Sequence, residues 1–487
     1  MSAFKKLASQ TAYYGISSIL GRMLNYALVP LHTRVLTSQQ DYGIIGELYS
    51  YITFLNIIFL YGLETTFFRF ATENKSDNSI YNKAFTSILF SSILFTSTIF
   101  LFATPINNFL SIGITSNLYR IEYLYIFALI LAFDAIAAIP FAKIRLDNRP
   151  LKFASIKIAN IIINVLLNVF FLIIAPIFDF AFYSASDAVL YILLSNLIAS
   201  IATIFFLYQE LIVVKITWIW KEMKPLYVYA IPLMFAGLAG MTNETLDRIL
   251  LKYFLPGTLE ERLSQIGIYN AAYKLSIFMT LAVQAFRMAA EPYFFSINKH
   301  ADSKLVYAKV MNYFVLACSL IFLGVSTHLN ILAYLLGENY RSGLAVVPIL
   351  LMANLFLGVY MNLSIWYKLV DKTIYGLYIT IIGAILTVVL NILWIPVFGY
   401  FGSAYATLIC YFVMSVVSYL SGKKYFTVPY SLKTIFSYIS IALLLYIVSK
   451  SLNDLYVTNI LLKQIIQSFV FVLFVVFALM QFKGAKM

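Results

Sequence analysis

The chain is poor in charge, cysteine and histidine. Charged residues are 11% of its 487 positions, with 2 cysteines and 3 histidines. Cys318 and Cys410 both fall inside apolar runs, so a disulfide framework is not expected. His32, His300 and His328 are scattered, and no spacing points to a metal site or a catalytic cluster. There is no Walker-type loop and no glycine-rich nucleotide fingerprint, so ATP use would require another chain. No cleavable signal is expected, because the first apolar run is longer than a signal core and no small-residue cleavage site follows it. Long polar loops are also missing, which leaves no room for an extramembrane domain.

Apolar sequence is plentiful instead. The chain is 62% hydrophobic with a mean hydropathy of +0.87, against about 45–50% apolar in soluble chains. Apolar stretches of roughly 20 residues recur along its length, enough to cross a bilayer as helices. Strands of an outer-membrane barrel would be about 10 residues of alternating polarity. The fold class expected is therefore an all-α integral membrane protein. Fourteen spans are read: 10–31, 42–62, 84–104, 119–139, 153–175, 188–208, 226–247, 266–288, 309–329, 344–365, 374–395, 401–421, 433–450 and 463–482. The longest outward segment is expected between Asp247 and Gln265.

Basic residues fix the orientation. Of the 34 Lys and Arg, 23 fall on one alternate set of connections and eight on the other. Arg22, Lys157 and Lys274 remain inside spans. Both termini are expected on the cytoplasmic side. The net charge of +13 is then a topology signal, and nucleic acid is not an expected partner.

The sequence repeats itself. The first half reads 33-TRVL-36 and 42-YGIIGELY-49, and the second 247-DRIL-250 and 266-IGIYNAAY-273. A looser echo joins 164-NVLLN-168 with 387-TVVLN-391. Halves repeating after six spans imply two six-helix lobes, 1–210 and 211–425, with two appended spans in 426–487. Transporters built this way hold substrate near the midplane.

Ionisable groups deep in a bilayer cost roughly 2.5–3.5 kcal/mol each and must face protein or water. Arg22 lies near the centre of the first span, with Asn25 beside it, and reads as an anion site or a structural ion pair. Lys274 lies inside the eighth span, with Asn270 and Tyr273 at a similar level. Lys157, Asn160, Asn164 and Asn168 recur at helical spacing on one face, and such a stripe needs a partner helix or a wet cavity. Asp134, placed near the inner end of the fourth span, is a candidate partner for Lys157. Glu64 with Arg69, and Arg287 with Glu291, are candidate cytoplasmic gates or flanking charges. In 243-NETLDRILLKYF-254, Glu244, Arg248 and Lys252 share a face. Asp247 and Arg248, with Arg34 as the repeat counterpart, are candidates for an outer gate. Pro232, Gly237 and Gly240 suggest that the seventh span bends.

The order and spacing of Thr33-Arg34-x-Leu36, Tyr42-Gly43, Gly62-Leu63-Glu64 and Arg69, followed by 247-DRILLKYF, 267-GIYNAAYKL and 394-WIPVFGYFGSAYAT, resemble the polysaccharide transporter (Wzx-like) family of lipid-linked oligosaccharide flippases. That family belongs to the multidrug/oligosaccharidyl-lipid/polysaccharide superfamily. The resemblance covers the whole chain. It implies two lobes working by alternating access in a bacterial cytoplasmic (inner) membrane. The implied substrate is an undecaprenyl-pyrophosphate-linked glycan, with membrane lipid, a polysaccharide polymerase and chain-length proteins as partners. No cofactor is implied, and the driving force would be membrane potential, H+ or Na+. Basic residues of the first, second and eighth spans line the cavity in related flippases. Arg22 and Lys274 match that placement, whereas the second span here carries Glu47. Two alternatives stand: a cation exporter of the same superfamily, which should present buried carboxylates, and a membrane-embedded glycan polymerase or glycosyltransferase, which would want catalytic outward loops.

Overall fold

The computed structural model describes residues 23, 26–36, 38–73, 78–111, 119–298, 300, 302–456 and 460–484, and the regular structure among them is helical. Twelve of these helices are long and apolar enough to cross a membrane. Leu259–Lys274 and Ile277–Ile297 meet at a 50° bend and together make a further, broken span. The protein is an α-helical, multi-pass membrane protein. The first expected span, 10–31, lies mostly outside the described residues.

The contacts divide the chain into 1–267 and 268–487. The first unit holds α1 (Val29–Val35), α2 (Gln39–Leu60), α3 (Leu63–Glu73), α4 (Ser79–Leu101), α5 (Ala103–Leu110), α6 (Ile121–Leu146), α7 (Pro150–Val169, continued to Ile177), α8 (Ala188–Phe206), α9 (Trp220–Phe254) and the start of α10 (Leu259–Lys274). The second holds the rest of α10, then α11 (Ile277–Ile297), α12 (Ser303–Thr327), α13 (Val347–Leu363), α14 (Ile374–Phe398), α15 (Tyr400–Tyr425), α16 (Leu432–Tyr456) and α17 (Ile460–Gly484). The long outward segment expected from Asp247 to Gln265 is corrected. The α9 helix runs unbroken through Pro225 and Pro232 to Phe254, and only four residues separate it from α10.

Two features of the first unit follow from glycine. The second span breaks where Tyr61 and Gly62 take positive φ values of 31° and 77°. A Cβ on Gly62 would also sit 2.6 Å from the Ala230 carbonyl oxygen of α9. Nearby, the Tyr61 hydroxyl bonds Ser87 Oγ at 2.6 Å, and the same Oγ bonds the Tyr227 hydroxyl at 2.5 Å, so α4 and α9 hold the break in place. The second feature joins the two repeat glycines. A Cβ on Gly43 would meet the Leu263 carbonyl oxygen at 2.0 Å, and one on Gly267 would meet the Gln39 carbonyl oxygen at 2.1 Å. Each glycine therefore meets the residue four positions before the other. That reciprocity is what a local two-fold relation between equivalent segments requires.

The looser echo is also built twice, once in each unit. Asn168 Nδ2 donates to the Asn164 carbonyl at 2.8 Å, and its Oδ1 bonds His32 Nε2 at 2.8 Å. Asn391 Nδ2 donates to the Thr387 carbonyl at 2.7 Å, and its Oδ1 accepts from Ser403 Oγ at 2.7 Å. In both places an asparagine amide closes a bond within its own helix and ties that helix to another. Asn164 and Asn168 of the expected polar stripe are thus engaged in packing.

The second unit's core is aromatic and thiol-lined. Tyr360, Trp366, Tyr367, Cys410, Tyr411 and Met414 cluster between α13, α14 and α15. The Trp366 ring stacks on Tyr425 at 5.8 Å, and the Tyr425 hydroxyl bonds that of Tyr375 at 2.6 Å. Both thiols are free and buried, as their apolar surroundings lead one to expect.

The most deeply buried charges close the first unit at one end. Lys252 of α9 is 3% exposed and Glu47 of α2 is 0% exposed, with Nζ 2.8 Å from Oε1. The ammonium also donates to the Leu110 carbonyl at 2.8 Å, and Tyr119 donates to the other Glu47 oxygen. Tyr119 Oη lies 3.2 Å from the same Nζ. Four chain segments thus share one dry knot.

Two outcomes are expected. Gly43→Ala should disrupt the α2–α10 crossing, because backbone cannot yield at 2.0 Å. The check is a loss of folded, monodisperse protein in detergent, compared with Gly240→Ala, where a Cβ meets nothing within 4 Å. Lys252→Met alone should destabilise the protein by about 3–5 kcal/mol by stranding Glu47, and adding Glu47→Leu should recover most of that loss. Thermal unfolding in one detergent measures both.

Candidate functional site

The first unit contains a cavity of about 350 Å³ between α2, α6, α7 and α8. Such a volume lies at the small end of ligand pockets, about 300–1,000 Å³. Its walls are polar for a membrane interior. Asp134 comes from α6, Lys157 and Asn160 from α7, Asn56 from α2, and Asn196, Ser200 and Thr203 from α8.

Asp134 is set deeper than expected. The α6 helix extends to Leu146, so Asp134 lies about 20 Å from one end and about 18 Å from the other at 1.5 Å per residue. Its placement near the inner end is corrected to mid-helix. Its Oδ1 accepts from Ser200 Oγ at 2.8 Å. The Lys157 ammonium sits over the Phe141 ring, 4.2 Å from the centroid. Both side chains line the cavity and are exposed within it. No ion pair within 4.0 Å joins them, so the expected partnership is one of facing charges across a shared space. Asn160 donates to Thr203 Oγ1 at 2.9 Å, Asn196 donates to the Tyr49 hydroxyl at 2.7 Å, and Asn56 Oδ1 is buried with no hydrogen-bond partner.

The cavity is bordered at one end by Glu64 and Arg145, which form an ion pair. Arg145 also lies over the rings of Phe68 and Phe153, at 4.8 and 5.7 Å. The break at Tyr61–Gly62 turns α3 so that Glu64 reaches across to α6. Glu64 therefore pairs with Arg145 and not with Arg69, whose guanidinium stacks on Tyr229 at 4.4 Å. The second unit repeats this pair. Glu291 bonds Lys368 at 2.6 Å, and Arg287 is exposed.

The other expected residues are placed as follows. Arg22 and Asn25 lie outside the described residues. Lys274 is half-buried as the last residue of α10, at the 50° bend; Asn270 is buried and Tyr273 half-buried one turn or less before it. On α9, Glu244 is exposed, whereas Asp247 and Arg248 are buried and paired at 3.2 Å. Arg248 also donates to the Glu244 carbonyl at 2.9 Å. Arg34 is exposed and donates to the Pro30 carbonyl at 3.2 Å. Reasoning from the sequence named Glu47 and Lys252 without pairing them, and it assigned no site role to Tyr119 or Arg145. The available signal was that Glu47, inside the second expected span, and Lys252, just beyond the seventh, are opposite charges at the same expected end of the membrane.

The fold has relatives among solved structures. The lipid II flippase MurJ in an inward closed conformation superposes with a TM-score of 0.74 at 15% identity, over 95% of this chain and 97% of that one. A multidrug resistance MATE family transporter of the MOP superfamily, inward-facing, gives 0.63 at 14% identity over 83% and 94%. The Vibrio cholerae MATE transporter VcmN in its bent form gives 0.56 at 13% identity over 89% and 97%. No curated protein sequence matches the chain. The profile of a family described as polysaccharide biosynthesis protein matches residues 7–298, more than half of the sequence. The chain therefore belongs to the polysaccharide biosynthesis protein family, and it has the fold shared by MurJ and the MATE transporters.

Proposed function

We propose that the protein is a flippase that carries a polyprenyl-pyrophosphate-linked oligosaccharide, the repeat unit of an O-antigen, capsule or exopolysaccharide, from the inner to the outer leaflet by alternating access. The carrying observation is a polar, charged cavity built inside the membrane-spanning part of a polysaccharide biosynthesis family member. Polar groups at that depth are tolerated where they serve a pathway for substrate or ions. The glycan enters this polar space while the lipid tail stays in the bilayer. The Lys/Arg bias assigns the Arg145 end to the cytoplasm, so the Glu64–Arg145 pair borders the loading side. Pyrophosphate is a strong anion, and Arg22 and Lys274 are the residues proposed to bind it. Moving two negative charges outward across about 100 mV, negative inside, releases roughly 4–5 kcal/mol. Membrane potential alone can bias such a cycle, with H+ or Na+ as additional drivers.

A second reading, export of an organic cation, is favoured by one observation: the Asp134 carboxylate is open to the cavity. The facing Lys157 ammonium counts against it, because it repels a cationic ligand from the same space.

A leaflet-protection assay decides between them. Vesicles containing the purified protein should expose labelled undecaprenyl-pyrophosphate glycan to an external reagent, and should not extrude tetraphenylphosphonium. Arg22→Ala should stop flipping while leaving membrane abundance normal. Flipping that persists in that variant removes Arg22 from the anion site.

A further inference from the structure

Each charged group of the cavity can be tested against the repeat. The register that aligns Asn168 with Asn391 also aligns Arg145 with Lys368, and the ion pairs these two residues make are built in both units. The same register places Asp134 on Leu357 and Lys157 on Thr380. The basic member of the bordering pair therefore recurs with an ion pair in each unit, although the same register sets Glu64 on Arg287 and the acid comes from Glu291 instead. The two facing charges have no charged counterpart at the aligned positions of the second unit.

Their chemistry is also specific. A site for pyrophosphate alone would gain nothing from a mid-membrane carboxylate, which repels it. A site for a cation would not carry an ammonium on the next helix. Here one carboxylate and one ammonium share a single cavity with no ion pair between them. The Glu64–Arg145 charges beside them already cancel. The remaining polar lining is amide and hydroxyl, from Asn56, Asn160, Asn196, Ser200 and Thr203, set among Leu60, two alanines and the rings of Phe141 and Phe153. Amides and hydroxyls suit a ligand rich in hydroxyl groups. Opposite charges that balance suit a ligand whose own charge is zero, because a net charge on it would sit beside a like charge in a low-dielectric space.

We infer that this cavity is the subsite for one glycosyl residue of zero net charge, and that Asp134 and Lys157 set this specificity by balancing each other across it. The inference rests on the flippase reading. Asp134 accepts ring hydroxyls on one side, and Lys157 donates to them on the other. A uronate residue would meet Asp134 at a cost, and an amino sugar would meet Lys157 at a cost. Removing either charge should reverse the sign of the selection rather than only weaken binding.

The test uses purified full-length protein and three soluble probes: methyl glucoside, methyl glucuronide and methyl glucosaminide, with binding followed by saturation-transfer NMR. The wild type should favour the neutral glucoside. Asp134→Asn should shift preference to the glucuronide by about tenfold or more, and Lys157→Gln to the glucosaminide by a similar factor. The double variant Asp134→Asn/Lys157→Gln should return to the glucoside, an outcome that local damage to the fold would not produce. If the wild type binds none of the probes, or if both single variants shift in the same direction, the inference is overturned. The leaflet assay on wild-type protein reads the flippase assignment separately. Normal flipping without a charge switch removes the subsite and leaves the flippase reading, whereas absent flipping with tetraphenylphosphonium export removes that reading itself.

Discussion

A charge inside a bilayer must be given either a partner or water, and the first unit depends on how strictly that requirement is met. Glu47 and Lys252 show the first solution. They are 205 residues apart in sequence, and neither is exposed by more than 3%. Desolvating both is expensive, and their attraction offsets that cost only because the remaining positions are filled by Tyr119 and the Leu110 carbonyl. The knot contributes little to net stability compared with an apolar core of the same shape. What it provides is a definite alignment, since α2 and α9 can pack this closely only in the register that brings the two charges together.

Asp134 and Lys157 show the second solution. Asp134 lies mid-helix and Lys157 about two turns into α7, yet both are open to a cavity and are not paired with each other. A polar cavity is a setting in which such a charge is tolerated without an ion-pair partner. The first pair is locked and the second is available, and the same number of charges therefore has opposite consequences. The Glu64–Arg145 pair is intermediate, half-exposed at the cavity's edge and clasped by two phenylalanine rings.

Much of the architecture was legible in the sequence. The apolar runs located the described spans because bilayer thickness fixes their length, and the repeated glycines marked a contact that only glycine permits. The long-range pairs were not legible. Helical spacing puts Glu244, Arg248 and Lys252 on one face, but it cannot show that Lys252 is matched with Glu47 or that Asp247 pairs with Arg248. The extent of a helix past its apolar window was also hidden. Extending α6 to Leu146 moved Asp134 from the edge to the middle, and extending α9 to Phe254 turned an expected loop into helix. Windows of hydropathy end at the first charge, whereas helices end where backbone hydrogen bonding does.

The polar stripe on α7 shows why the same residue type needs two explanations. Asn164 and Asn168 occupy positions whose geometry recurs around Asn391, with the amide closing one bond along its helix and one across to another. Polar residues used this way hold helices together in a medium where hydrophobicity cannot. Lys157 and Asn160 lie further along the same face, where the neighbouring helices separate enough to leave a cavity. A stripe that looks uniform in sequence is thus divided by the packing around it. Where the repeat recurs, as at Asn168 and Asn391, the residue ties helices together in both units; at Lys157 against Thr380 the repeat diverges, and the charge faces a cavity instead of a neighbouring helix.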